Sequence, residues 1–205
     1  MHKAIFLKDT QLQYVKKSKE IQQRLSEFKN LPENRYIEEF MFCILTPQSN
    51  GQRCWQAVVQ LQQQKRLTFS AVKNTLKTKT RFHNKKTHYL LEGIKNWQTI
   101  KGFLSHQNTK ELRDYLAANV KGFGMKEASH FLRNIGKSKN EIAILDRHIL
   151  KNLRENEIIS DERIKNKTHY LAIEEKYLDF ASTLNIPPDE LDLLWWSKEN
   201  GEIFK

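Results

Sequence analysis

The sequence predicts an all-α fold, and three observations carry that reading. Apolar residues recur at helical spacing in one segment after another. No stretch alternates apolar and polar residues convincingly over strand length. Short turns separate the periodic segments, without an internal repeat, a low-complexity tract or a linker rich in Gly, Pro or Ser. The 205 residues are enough for one core or for two small lobes sharing a groove, so a single domain is expected.

The elements follow in order. Residues 32–45 open with Pro32 and Glu33, which suit a helix N-terminus, and carry a stripe of Tyr36, Ile37, Phe40 and Ile44. Residues 51–64 repeat the pattern with Cys54, Trp55, Val58, Val59 and Leu61. A short helix is expected at 70–78, and one amphipathic helix at 83–100 with Tyr89, Leu90, Ile94 and Trp97 inward. Asn108, with Glu111 three residues on, forms a capping arrangement at the head of 108–120. A glycine turn leads into 125–136, where Gly136 is a stop. After the polar loop 137–141 come 143–153, 167–185 and 187–201, the last starting at Pro-Pro-Asp. The N-terminal twenty residues show only a brief apolar patch at Ala4–Leu7, too short for a signal peptide core, and the chain is read as intracellular.

Composition narrows the partner. The net charge of +11 and the pI near 9.6 favour a polyanion. No apolar run approaches the ~20 residues of a membrane-spanning helix. Cys43 and Cys54 sit in apolar helical settings and read as buried free thiols, too few for a cysteine-ligated zinc or iron–sulfur site. His83 and His88 are badly spaced for a metal. No cofactor and no catalytic metal are expected.

The chemistry gathers in "NVKGFGMKEASHFLRNIG", residues 119–136. Gly122 and Gly124 supply backbone freedom for a tight hairpin between two helices and strip side chains from its outer surface. The backbone N–H groups at the start of the next helix then face outward and suit a phosphate, with Lys121, Lys126, Arg133 and Lys137 adding charge. Such a helix-hairpin-helix grips one DNA strand without reading bases. Asp146, in "AILDRHIL", follows Lys126 by 20 residues, the length of a helix and a return loop. Taken alone, Lys126 is either a phosphate ligand or a nucleophile, and Asp146 either an N-cap or a charge at the reacting centre.

The pairing "VKGFGMKEASHFL" with "AILDRHIL", together with "LTPQS", "RFHNKKTHYL" and "LDLLWWSKENGEIFK", resembles the helix-hairpin-helix DNA glycosylase superfamily. The likeness spans essentially the whole chain and is greatest to the compact second type of 8-oxoguanine DNA glycosylase/AP lyase. One departure is the loop before Asp146, which reads Ala-Ile-Leu where the superfamily often has Gly-Pro. The cysteine-rich iron–sulfur tail of some relatives is absent.

The resemblance implies two helical subdomains flanking a DNA-binding groove, here 31–150 with the hairpin, and 1–30 plus 151–205. It implies a bifunctional enzyme in which Lys126 attacks C1′ of a flipped 8-oxoguanine nucleotide and nicks the strand through a Schiff base, with Asp146 stabilising charge at the sugar. Burial and nearby cations are expected to lower the lysine's pKa. The base would be held by Phe82, Asp192, Trp196 and the terminal Lys205, with Trp195 left in the core. Gln48 would fill the gap left by the base, beside Ser49; Lys121, Gly122, Gly124 and His148 would contact DNA. The hairpin carbonyls of Ala118, Val120 and Phe123 would be those that hold a monovalent cation in relatives. The expected partner of this monomer is double-stranded DNA containing 8-oxoguanine or an abasic site. A non-enzymatic hairpin module explains the charge and the turn but not Asp146 at return distance; a glycosylase for another oxidised base stays open.

Overall fold

The computed structural model describes residues 2–106 and 108–205. All regular structure among them is helical: eleven α-helices and a 3-10 turn at Glu33–Arg35. The chain divides into two compact units, residues 31–131 and residues 1–30 with 132–205.

The first unit holds α2 (Tyr36–Leu45), α3 (Gly51–Gln62), α4 (Phe69–Lys77), α5 (His83–Lys95), α6 (Trp97–Phe103) and α7 (Thr109–Asn119), and most of α8 (Met125–Asn134). Helix α2 is its centre, with nine of ten residues buried. The Phe40 ring stands 5.1 Å from Trp97, 5.4 Å from Phe123 and 5.8 Å from Phe131. Gly93 lets α5 reach α2: a Cβ there would lie 2.6 Å from the Phe40 ring. Side-chain oxygens set the helix starts, as Asn50 accepts from Arg53 N–H and Asn108 from Lys110 and Glu111 N–H. Cys43 and Cys54 are buried free thiols.

The helix expected at 83–100 is two helices. Asn96 leaves helical geometry at φ −92°, ψ 4°, and Trp97 begins α6. Asparagine competes for backbone hydrogen bonds and tolerates the break. The single stripe of apolar residues is common to both pieces, so periodicity alone did not reveal it.

The second unit is built on α11 (Pro188–Asn200), which packs on α1 (His2–Lys29), α9 (Arg147–Glu155) and α10 (Lys167–Leu184). Trp195 is fully buried there, 6.1 Å from Tyr177 and 5.8 Å from Phe180. Helix α1, 28 residues long, has no counterpart in the sequence reading. It is tied to α11 by the Tyr14 hydroxyl donating to Glu190 at 2.6 Å and Lys17 to Ser197 at 3.0 Å.

The boundary between units falls at 131, inside α8, rather than at 150. Segment 132–146 is bound to α10 and α11. Ser138 Oγ donates to Asp189 at 2.5 Å, Ala143 N–H to Glu174 at 2.7 Å, and the Tyr170 hydroxyl to Ala143 O at 2.7 Å. No helix of the described residues is long and apolar enough to cross a membrane.

Candidate active site

The hairpin forms as the glycines require, but with unequal roles. Gly122 has φ +92°, a left-handed conformation, and a Cβ there would lie 2.8 Å from Tyr89. Gly124 needs no left-handed backbone. The Phe123 N–H donates to Val120 O at 3.1 Å and closes the turn. A cation at the Ala118, Val120 and Phe123 carbonyls would therefore take the second lone pair of the Val120 oxygen. Lys121 is exposed and pairs with Glu92 at 2.9 Å.

Glu127 changes the picture of outward, unpaired N–H groups. Its Oε2 accepts from Gly124 N–H at 3.1 Å, the second half of a capping box at the start of α8. Its Oε1 lies 2.9 Å from Lys126 Nζ. Lys126 is 23% exposed, in the first turn of α8. Its surroundings are thus of both signs rather than purely cationic: Glu127 pairs with it, while the Lys86 ammonium repels it. The sequence signal for Glu127 was the glycine–x–x–glutamate spacing, which the sequence reading did not use.

Asp146 is the N-cap of α9. Its Oδ1 accepts from His148 N–H at 2.8 Å and Ile149 N–H at 2.9 Å. Both bonds use one oxygen, so the cap occupies half of the carboxylate. Next to it, the His148 ring nitrogen Nε2 accepts from Arg147 Nε at 3.2 Å.

The residues assigned to the base fall in both units. In the first, Phe82 is the N-cap of α5 at φ 56°, ψ 33°, and is 51% exposed with the Arg81 guanidinium 5.4 Å from its ring. A non-glycine residue held left-handed with its ring in solvent is a strained display of an aromatic surface. In the second, Trp196 is half-buried, 6.2 Å from Phe204. Lys205 is no frayed end: it is 9% exposed, with Nζ 5.6 Å from the Phe28 ring. Arg133 covers the same ring at 5.2 Å.

Asp192 is buried and its Oδ2 lies 3.2 Å from Arg133 Nη2, so its carboxylate already has a cationic partner. Arg133, counted above with the surface charge of the hairpin, is 3% exposed and is not a surface phosphate ligand. Burial on the inward face of α8 separates it from Lys126, which sequence proximity alone had grouped with it.

Gln48 is exposed at φ 53°, a second strained, non-glycine left-handed residue. Ser49 turns inward. Its hydroxyl accepts from Arg81 N–H at 3.0 Å and from Lys86 Nζ at 2.8 Å, and it donates to Pro47 O at 3.3 Å. Its side chain is engaged within the protein, so in this structure it supports the loop that carries Gln48. Lys86, which the sequence reading left unassigned, is 4% exposed. Burial pushes its ammonium down to about 8, with Lys126 and Arg81 acting in the same sense and Cys54 and Glu127 opposing. Among the described residues no group of three or more His, Cys, Asp or Glu is placed to hold a metal ion.

The chain matches the family model described as 8-oxoguanine DNA glycosylase over residues 21–186. It is 42% identical, over all of both chains, to a Fusobacterium nucleatum protein named 8-oxoguanine DNA glycosylase/AP lyase. The crystal structure of the 8-oxoguanine DNA glycosylase of Thermotoga maritima superposes with a TM-score of 0.90 at 27% identity, covering 100% of each chain. The Methanocaldococcus jannaschii 8-oxoguanine glycosylase/lyase, solved with a 15mer DNA containing 8-oxoguanine, gives 0.88 at 29% identity, covering 98% of this chain and 100% of that one. With the glycine-turned hairpin, its lysine and the capped Asp146 already in view, the match over most of the sequence is decisive: the chain belongs to the 8-oxoguanine DNA glycosylase family.

Proposed function

We propose that this protein is a bifunctional DNA repair enzyme, an 8-oxoguanine DNA glycosylase and AP lyase, acting as a monomer on double-stranded DNA inside the cell. The observation that carries the reading is Lys126 in the first turn of α8, directly after the Gly122-Phe123-Gly124 turn, in a chain of this family.

The damaged base leaves the stack before a side chain reaches its sugar. The hairpin and Lys121 hold the backbone, and Gln48 fills the vacated space. Phe82 and Trp196 supply aromatic faces for the purine, and Lys205 a polar contact at its edge. Neutral Lys126 attacks C1′: the C1′–Nζ bond forms as the glycosidic bond breaks, and the base leaves with a proton. Asp146 stabilises the positive charge that develops at the sugar. Loss of an Nζ proton and opening of the sugar ring give the Schiff base. Removal of a proton from C2′ then expels the 3′-phosphate, and water releases the lysine. Glu127, beside Lys126, is suited to carry protons in these steps.

Borohydride trapping on duplexes carrying 8-oxoguanine, an oxidised pyrimidine or an abasic site tests substrate and chemistry together. The expected result is a covalent adduct with the 8-oxoguanine and abasic duplexes that is lost in Lys126→Gln. An adduct undiminished in that variant removes the nucleophile assignment.

A further inference from the structure

The first unit contains a buried cation that the chemistry above does not use. Lys86 lies on α5, one turn after Phe82, and its backbone N–H donates to Phe82 O at 3.0 Å. Its side chain runs inward to the loop after α2. There Nζ donates to Leu45 O at 2.6 Å, Pro47 O at 2.8 Å and Ser49 Oγ at 2.8 Å. An ammonium has three protons, and all three find acceptors here. These acceptors bracket Gln48 on both sides. The same Ser49 hydroxyl takes the N–H of Arg81, the residue before Phe82.

One buried centre therefore ties together two exposed, left-handed residues, Gln48 at φ 53° and Phe82 at φ 56°. Such conformations persist only where the surroundings over-determine them. Gln48 follows Pro47 in a turn that the Ser49 N–H closes by donating to Thr46 O at 2.9 Å, whereas Phe82 has neither a glycine nor a proline beside it. The Lys86–Ser49 centre fastens that turn to the Arg81–Phe82 turn, at the cost of burying a charge.

We propose that Lys86 is a positioning residue for base extrusion, which holds the Gln48 loop and the Phe82 turn at a fixed spacing so that the wedge and the stacking face engage the duplex together. The inference rests on the reading of Gln48 as the residue that fills the space of the flipped base. Lys86 touches neither DNA nor the reacting atoms in this account; it acts through Gln48, Ser49 and the Arg81–Phe82 turn.

The test is single-turnover excision of 8-oxoguanine from two duplexes, one with cytosine opposite the lesion and one with an abasic position there. In the second, less pairing and stacking opposes extrusion. Lys86→Met keeps the length of the side chain and removes its donors. It is expected to slow excision at least about tenfold on the paired duplex and no more than about threefold on the other, with lesion unstacking, read by 2-aminopurine beside it, reduced in parallel. Combining it with Gln48→Ala should cost little more than either change alone, because both disable the same device. Equal losses on the two duplexes, or full additivity, would reduce Lys86 to a core support and overturn the proposal. Wild-type rates for Lys86→Met beside an impaired Gln48→Ala would overturn it too, while leaving the wedge reading intact. Wild-type rates for Gln48→Ala would remove the wedge reading itself and this inference with it. Should Lys86→Met fail to fold, Ser49→Ala, which deletes one acceptor, carries the same comparison, with a smaller loss of the same selectivity expected.

Discussion

Lys126 and Glu127 form an ion pair at 2.9 Å, and the second carboxylate oxygen of Glu127 caps Gly124 N–H at 3.1 Å. Adjacent residues thus join the Lys126 amine to the hairpin backbone. Lys126→Gln should abolish both excision and nicking while binding to lesion duplex survives. Glu127→Gln keeps an acceptor for Gly124 but loses the charge. The pair is partly exposed, so its electrostatic part is worth at most about 1 kcal/mol, or about fivefold in rate. A larger loss measured on abasic duplex would mean that Glu127 also moves protons.

Substitution separates the N-cap of Asp146 from the role proposed for its carboxylate at the sugar. Asparagine is as good an N-cap as aspartate, whereas alanine costs about 1 kcal/mol. Asp146→Asn should melt within a few degrees of the parent yet excise far more slowly; Asp146→Ala should show both defects. If Asp146→Asn keeps its rate, the carboxylate serves the helix alone. Thermal melts and single-turnover rates on the two variants decide this.

Arg133 and Asp192 are a buried pair 3.2 Å apart. Removing Arg133 takes from the buried Asp192 carboxylate its guanidinium partner, and losses of one partner in buried pairs run to about 3–5 kcal/mol. Arg133→Met is expected to lower the unfolding free energy by that order without changing how binding to undamaged DNA depends on salt. Lys121→Gln, at an exposed position, should do the reverse: stability held, and the log–log salt slope reduced by about 0.9.

The pH dependence of stability carries the mark of Lys86. Its folded-state pKa, about 8, lies below the ordinary 10.5 because burial disfavours the charge. The unfolded chain therefore binds that proton more tightly. The penalty on the folded state is full below pH about 8 and is relieved as pH rises toward about 10.5, a span of about 3 kcal/mol. Cys54, pushed up to about 11 by burial, acts in the opposite sense above pH about 9. Between about pH 7.5 and 9, urea unfolding should show the wild type gaining stability relative to Lys86→Met. Parallel curves would mean that its three acceptors offset the burial.

Substitutions at the residues proposed to hold the base test whether base recognition is separate from the sugar chemistry. Deleting Lys205, or truncating Phe82 or Trp196 to alanine, should impair 8-oxoguanine excision far more than nicking at a ready-made abasic site. Stacking on one aromatic ring is worth roughly 1–3 kcal/mol. Equal losses on both substrates would assign these residues to the fold or to DNA binding instead.

Local chemistry determined much of this protein from sequence alone. The helical class, the caps at Asn108 and Asp146, the glycine turn at 122 and the lysine following the hairpin are all set within a few residues, by steric freedom and by donors and acceptors close along the chain. Helix α1 was not legible, because its apolar residues lack a clean stripe and contacts with α11 hold it. The tertiary structure alone decided which polar groups are buried and with whom. Lys86 meets Leu45 O across 41 positions, and Arg133 meets Asp192 across the return of the chain. In sequence both cations look like solvated charge. Only folding removes them from water, and a buried charge must then find its partners wherever the fold brings them.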